Sequence, residues 1–166
     1  TRDSKGFVWI SSLNGLNRYD GSEVRQYTAG NGSDEVKGQY VQSKMFEDEE
    51  GNLYFTTYAG GINCYQRATD TFEAWPLPDS GDIPVTGYHA FHLGKDKQLW
   101  VLVNNKNVYH FDIETHKYTH RYDVPVETYF CHLATNAAGE PLFSVSNDDQ
   151  GRLTLTHFTE EDTSQL

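Results

Sequence analysis

Short apolar segments separated by polar turns rich in Gly, Asp and Asn run the length of this chain. The longest unbroken apolar runs are residues 7–10 and 99–103, and stretches such as Leu16-Asn17-Arg18-Tyr19 alternate apolar with polar positions. No segment keeps helical apolar spacing through three turns, so the pattern predicts strands bounded by tight turns. Between residues 40 and 76 it resolves into four: strand a at 41–47, b at 53–57, c at 62–66 and d at 71–75. The a–b turn carries Gly51 and the b–c turn Ala59-Gly60-Gly61, which supply the left-handed backbone that hairpins require.

This unit recurs. Asp3-Ser-Lys-Gly6-Phe-Val8-Trp9-Ile10, Asp48-Glu-Glu-Gly51-Asn-Leu53-Tyr54-Phe55, Gly94-Lys-Asp-Lys97-Gln-Leu99-Trp100-Val101 and Asn136-Ala-Ala-Gly139-Glu-Pro141-Leu142-Phe143 are each a polar turn followed by a strand. Their anchors Trp9, Tyr54, Trp100 and Leu142 are separated by 45, 46 and 42 residues. A second landmark begins at Gly15, Gly61, Asn107 and Gly151, with spacings of 46, 46 and 44. A third (Val24-x-x-Tyr27, Phe72-x-x-Trp75, Tyr118-x-x-x-Tyr122) keeps the same beat in the first three units.

Four short antiparallel strands per roughly 45 residues describe one blade of a β-propeller. The expected fold is therefore all-β, a β-propeller fragment of about three and a half to four blades. The blade units fall at approximately 1–30, 40–76, 87–123 and 128–166. The first unit is expected to lack strand a and the last to stop soon after strand c. Complete rings usually hold roughly four to eight blades. With no initiating Met and no signal-peptide pattern, the chain is expected to be an internal piece of a longer protein. Half a ring would expose two sheet-packing faces, so the segment is also expected to form a homo-oligomer.

Composition narrows the partners. The 166 residues carry 13 Lys and Arg against 24 Asp and Glu, a formal charge of −11 with no basic cluster. A nucleic-acid surface is excluded on that ground, because phosphate binding needs concentrated positive charge. No apolar run approaches the roughly 20 residues that span a bilayer, so no membrane contact is expected within this segment. The two cysteines, Cys64 and Cys131, lack CxxC spacing and are too few for a disulfide scaffold.

Trp9, Tyr54 and Trp100 recur at one strand position, which assigns them to packing between blades. Asp3 and Asp48 recur before Gly and read as turn formers. Candidate site residues are instead those that break the repeat. Antiparallel order places the b–c loops and d–a segments at one end of every blade. The b–c loops bring Tyr58, Asn104, Asn105, Asn147 and Asp148 to that end, and the d–a segments bring Tyr40, Tyr88, His89 and Tyr129. Aromatic rings for C–H faces, with amides and carboxylates for hydroxyls, suit a sugar, and the expected ligand is an oligosaccharide. No metal site is expected: on a strand His89 and His92 face opposite sides, and His116 and His120 stand about 13 Å apart. No cofactor motif and no catalytic triad, phosphate loop or nucleophile elbow is present, so no catalytic residue is named.

The wording of the repeat carries more. Asp3-x-x-Gly6-x-Val8-Trp9-Ile10, followed by Gly15-Leu16-Asn17-Arg18-Tyr19-Asp20, closely resembles the two-component-regulator propeller repeat. That repeat builds the periplasmic sensor region of bacterial hybrid two-component systems, membrane histidine kinases often tied to polysaccharide use. The third unit departs from it at Lys97 and Asn107, and the fourth at Pro141-Leu142. The sialidase Asp-box fits less well, since two residues rather than one separate Asp3 from Gly6. The resemblance implies a periplasmic, carbohydrate-responsive sensor segment without enzymatic activity of its own. It also implies a parent anchored in the inner membrane, whose remaining blades and downstream domains are its partners. The alternatives are a glycan-active propeller enzyme (a lyase or hydrolase) and a ligand-free interaction scaffold.

Overall fold

The computed structural model describes residues 1–58, 61–78, 90–93, 98–103, 107–123, 131–137, 141–146 and 153–157. Among these residues the regular structure consists of strands, arranged in four antiparallel sheets. The first sheet holds β1 (Val8–Ser12), β2 (Gly15–Tyr19) and β3 (Val24–Thr28). The second holds β4 (Phe46–Glu47), β5 (Leu53–Thr57), β6 (Gly61–Gln66) and β7 (Thr71–Trp75). The third holds β8 (Ala90–Leu93), β9 (Gln98–Val103), β10 (Asn107–Asp112) and β11 (Lys117–Asp123). The fourth holds β12 (Cys131–Thr135), β13 (Pro141–Ser146) and β14 (Leu153–His157). Every sheet is a meander of neighbouring strands in chain order. These are the blades of a β-propeller fragment. They fall into two compact units, Thr1–Leu77 with the first two sheets and Pro78–Leu166 with the other two.

The first unit is held by aromatic rings from both of its sheets. Trp9 stacks on Tyr27 within the first sheet at 5.8 Å and meets Tyr65 of the second at 4.7 Å. Tyr27 in turn meets the edge of Phe72 at 5.1 Å. Leu16, Val36, Leu53 and Phe55, all fully buried, complete this core. Each such ring buries about 150–250 Å², and ring pairs add about 0.5–1.5 kcal/mol beyond that area. Trp9 therefore packs between sheets as its recurrence predicts. Leu53 and Phe55 share the face of β5 toward this core, so Tyr54 is buried on the opposite face by strand alternation. In the second unit Trp100 is buried against His110, its ring 5.6 Å away.

Two details depart from expectation. Strand a of the second blade is not continuous over 41–47. Only β4 pairs regularly with β5, and a single bridge, Val41 to Thr57, resumes the ladder. Between them the hydroxyl of Ser43 accepts the Thr56 N–H at 2.9 Å, taking a bond that a strand carbonyl would otherwise accept. The first blade, conversely, keeps the end of its strand a. Arg2 bridges Val8, and Thr1 exchanges backbone hydrogen bonds with Trp9 at 2.7 and 3.0 Å. Thr1 and Arg2 thus stand against β1 as Phe46 and Glu47 stand against β5.

The hairpin glycines follow from close approach. A Cβ on Gly15 would lie 2.1 Å from the Tyr27 carbonyl oxygen, and one on Gly61 would lie 2.2 Å from that of Trp75. Both glycines also have positive φ, at 129° and 77°. Any side chain there collides with strand d.

Candidate functional site

In the first unit the segment between β3 and β4 reaches the Tyr58 end of β5, at one end of the second sheet. The segment after β3 runs across that end and is clamped by Asn63. The Asn63 carbonyl oxygen accepts the Lys37 N–H at 2.9 Å, and its amide donates to the Lys37 carbonyl at 3.1 Å. The same amide donates to Thr57 Oγ1 at 3.1 Å. Asn63 is fully buried, and these bonds satisfy an amide that would otherwise be costly to bury. They also deliver the chain to Tyr40. There the Gln39 N–H donates to the Tyr58 carbonyl, and the Tyr58 N–H to the Tyr40 carbonyl, both at 3.0 Å.

The outcome is a ring pair. Tyr40 and Tyr58 stack with centroids 5.5 Å apart and planes 14° from parallel, and both are half-buried. Their backbones are bonded to each other, so the pair is held before any ligand arrives. One rung along the ladder, the Gln42 N–H donates to the Thr56 carbonyl at 2.8 Å. Alternation puts Gln42 on the face of Tyr40, and Thr56 on the face of Tyr58.

The second unit presents a different group at the corresponding end of the third sheet. Asn107 occupies the place of Gly15 and Gly61, and its partner across the ladder is Asp123. The register shifts between Val108 and Tyr109, leaving Arg121 as the extra residue of β11. A bulge of this kind re-aims side chains. It turns His120 and Asp123, three apart, onto one side. His120 Nε2 lies 2.8 Å from Asp123 Oδ1, and the Asn107 amide donates to the same oxygen at 2.8 Å. The Tyr109 ring meets the His120 ring nearly edge-on at 5.3 Å. Burial first, and then the charge of Asp123, push the Tyr109 hydroxyl above its ordinary range.

Of the sequence-predicted site residues, Tyr40 and Tyr58 are brought together. Tyr88, His89, Asn104, Asn105, Tyr129, Asn147 and Asp148 lie outside the described residues. Sequence reading passed over Asn63, which the Gly-Ile-Asn landmark already marked, and Gln42 and Thr56, whose pairing depends on an irregular strand a. The His120–Asp123 pair was hidden by a bulge that no local motif announces. Chemically, the tyrosine pair offers an aromatic face flanked by amide and hydroxyl groups, and the His120 group offers a hydrogen-bonded imidazole–carboxylate pair.

No protein-family model and no curated protein matches the sequence. Solved structures do. The extracellular domain assigned to a hybrid two-component system of B. thetaiotaomicron is 22% identical with a TM-score of 0.62, over 96% of this chain and 24% of that one. A catalytically inactive virginiamycin B lyase from Staphylococcus aureus, with quinupristin, is 16% identical with a TM-score of 0.69, over 95% of this chain and 54% of the lyase. An auxiliary nutrient binding protein from Bacteroides thetaiotaomicron is 15% identical with a TM-score of 0.55, over 93% of this chain and 45% of that protein. The chain therefore spans about a quarter to a half of the length of these proteins. At this identity the likeness is one of fold: the chain is a β-propeller segment whose blades resemble those of a two-component system's extracellular domain.

Proposed function

We propose that this chain is a ligand-sensing propeller segment from the extracytoplasmic part of a hybrid two-component sensor, and that its ligand is a carbohydrate. The repeat wording and the fold shared with an extracellular two-component domain support the role. The observation that carries the ligand class is the prearranged Tyr40–Tyr58 pair, since half-buried parallel rings beside amide and hydroxyl groups suit the C–H faces and hydroxyls of a sugar. In this reading the compartment is the periplasm, and the parent is anchored in the inner membrane. The remaining blades and the downstream domains come from the rest of that parent. Binding drives signalling only if the sugar prefers one arrangement of the parent over another.

A calorimetric titration of the chain with neutral oligosaccharides tests this. Binding that is lost in Tyr58→Ala, with the melting transition intact, is the expected result. Failure of every sugar to bind would remove the carbohydrate reading. The second reading, a glycan-active enzyme, is favoured by the His120–Asp123 pair. Loss of His120-dependent oligosaccharide turnover in His120→Ala would establish it, and absence of turnover in the unmodified chain would exclude it.

A further inference from the structure

Thr56 Oγ1 and Gln42 Oε1 are buried and have no hydrogen-bond partner among the described residues. Most buried polar atoms are satisfied, and each exception calls for a missing partner. These two belong to residues directly opposite each other, one rung from the Tyr40–Tyr58 pair and on the same face of that ladder. Thr56 is wholly buried, and Gln42 is half-buried. Strand a is irregular here because Ser43 turns its hydroxyl onto the Thr56 N–H. Ser43 thus satisfies the Thr56 backbone and leaves its side chain uncommitted.

We infer that Gln42 and Thr56 form the polar floor of the tyrosine site and hydrogen-bond the hydroxyl groups of a saccharide whose ring stacks on the outward face of the Tyr40–Tyr58 pair. This rests on the carbohydrate reading above and adds to it the residues that read hydroxyl positions. An apolar ring of the same shape would satisfy the tyrosines and leave both orphan oxygens unpaired. Sugars are therefore selected over aromatic or aliphatic compounds at this site. Discrimination of this kind is strong because the penalty of unpaired buried groups falls on the wrong ligand.

The test uses the whole chain and a panel of neutral α- and β-linked gluco-, galacto-, manno- and arabino-oligosaccharides, titrated by calorimetry against four variants. Tyr40→Ala and Tyr58→Ala should abolish binding. Thr56→Val and Gln42→Leu should each weaken it roughly 3- to 10-fold, the worth of one neutral hydrogen bond. Without sugar, both should melt at or above the temperature of the unmodified chain, because each removes an unsatisfied buried oxygen. Sugar binding lost in the tyrosine variants but unchanged in Thr56→Val and Gln42→Leu would overturn the polar floor and leave the carbohydrate reading standing. A lowered melting temperature in Thr56→Val would also overturn it, by showing that Oγ1 has an internal partner. No binding by any panel member would overturn both readings together.

Discussion

Trp9 donates its indole N–H to Asp3 Oδ2 at 2.8 Å, joining the first turn residue of the repeat to its aromatic anchor. The other oxygen of Asp3 accepts the backbone N–H groups of Lys5 and Phe7, at 3.0 and 2.9 Å, so one carboxylate both shapes the turn and orients the ring. Arg67 of the second sheet completes the group, 2.7 Å from Asp3 Oδ2 and 3.3 Å from Glu47. The link thus crosses from one blade to the next.

Removing that carboxylate strands several groups at once. Asp3→Ala leaves the Trp9 N–H and two backbone N–H groups without their acceptor and takes the nearest carboxylate from the largely buried Arg67, which keeps Glu47 and the Gly51 carbonyl, and should cost about 3–5 kcal/mol. Asp3→Asn keeps the turn bonds and should cost less. Urea midpoints of the two variants decide the matter, and equal midpoints would argue that only the charge counts.

The tryptophans of the first and third blades should respond differently. Trp9→Ala opens a cavity in the aromatic core and should cost about 3–5 kcal/mol. In the third blade Gly94 stands where Asp3 stands in the first, and Trp100 Nε1 has no partner among the described residues. Trp100→Phe should therefore be close to neutral, while Trp9→Phe loses a bonded N–H and should cost about 1–3 kcal/mol. Thermal melts that show equal losses for the two Phe variants would contradict this account.

Acid should unlock the first unit. Burial pushes the Asp3 carboxyl up, but bonds from Trp9 and Arg67 outweigh it and hold it below the ordinary carboxylate value. Asp70 behaves alike: burial raises it, yet the hydroxyls of Tyr27 and Tyr65, at 2.7 and 2.8 Å, with Arg25 and Arg18, hold it lower. A depressed folded pKa contributes stability above the unfolded value near 3.9, and that stability is lost as pH falls through the folded one. Urea midpoints should fall between pH ~5 and ~2, and Asp70→Asn should flatten that fall. An equally steep acid limb in Asp70→Asn would show that other carboxyls govern it.

Self-association is expected from the outer face of the first sheet, and we propose a second copy as its partner. Ile10, Val24 and Tyr19 lie together there at 50%, 62% and 37% exposure, with Leu13 at 80% on the adjoining turn. Light scattering should give a mass above 18.9 kDa at high concentration. Ile10→Lys with Val24→Lys should return the monomer. A monomeric unmodified chain at all concentrations would refute it.

Much of this architecture was open to reading from periodicity. β5 and β7 lie at 53–57 and 71–75 as the pattern predicts, and β6 starts one residue early, at Gly61. Strand b and c side chains meet alternate faces under strong apolar selection, so their register is written in the residues themselves. Strand a was less legible. Its residues 41–47 mix polar and apolar without alternation, and a hydroxyl from Ser43 replaced one rung of the ladder.

What the sequence by itself determined is the blade: its period, its turn aspartates, its hairpin glycines and its aromatic anchors, because each is a local requirement repeated at a constant interval. What only the tertiary structure decided is which non-repeating residues meet. Tyr40 and Tyr58 are 18 residues apart and stack where Asn63 pins the segment that leads into Tyr40. His120 and Asp123 share a side because a bulge in β11 breaks the alternation that would have parted them. Ladder irregularities and long-range clamps depend on partners far away in the chain, so no local pattern records them.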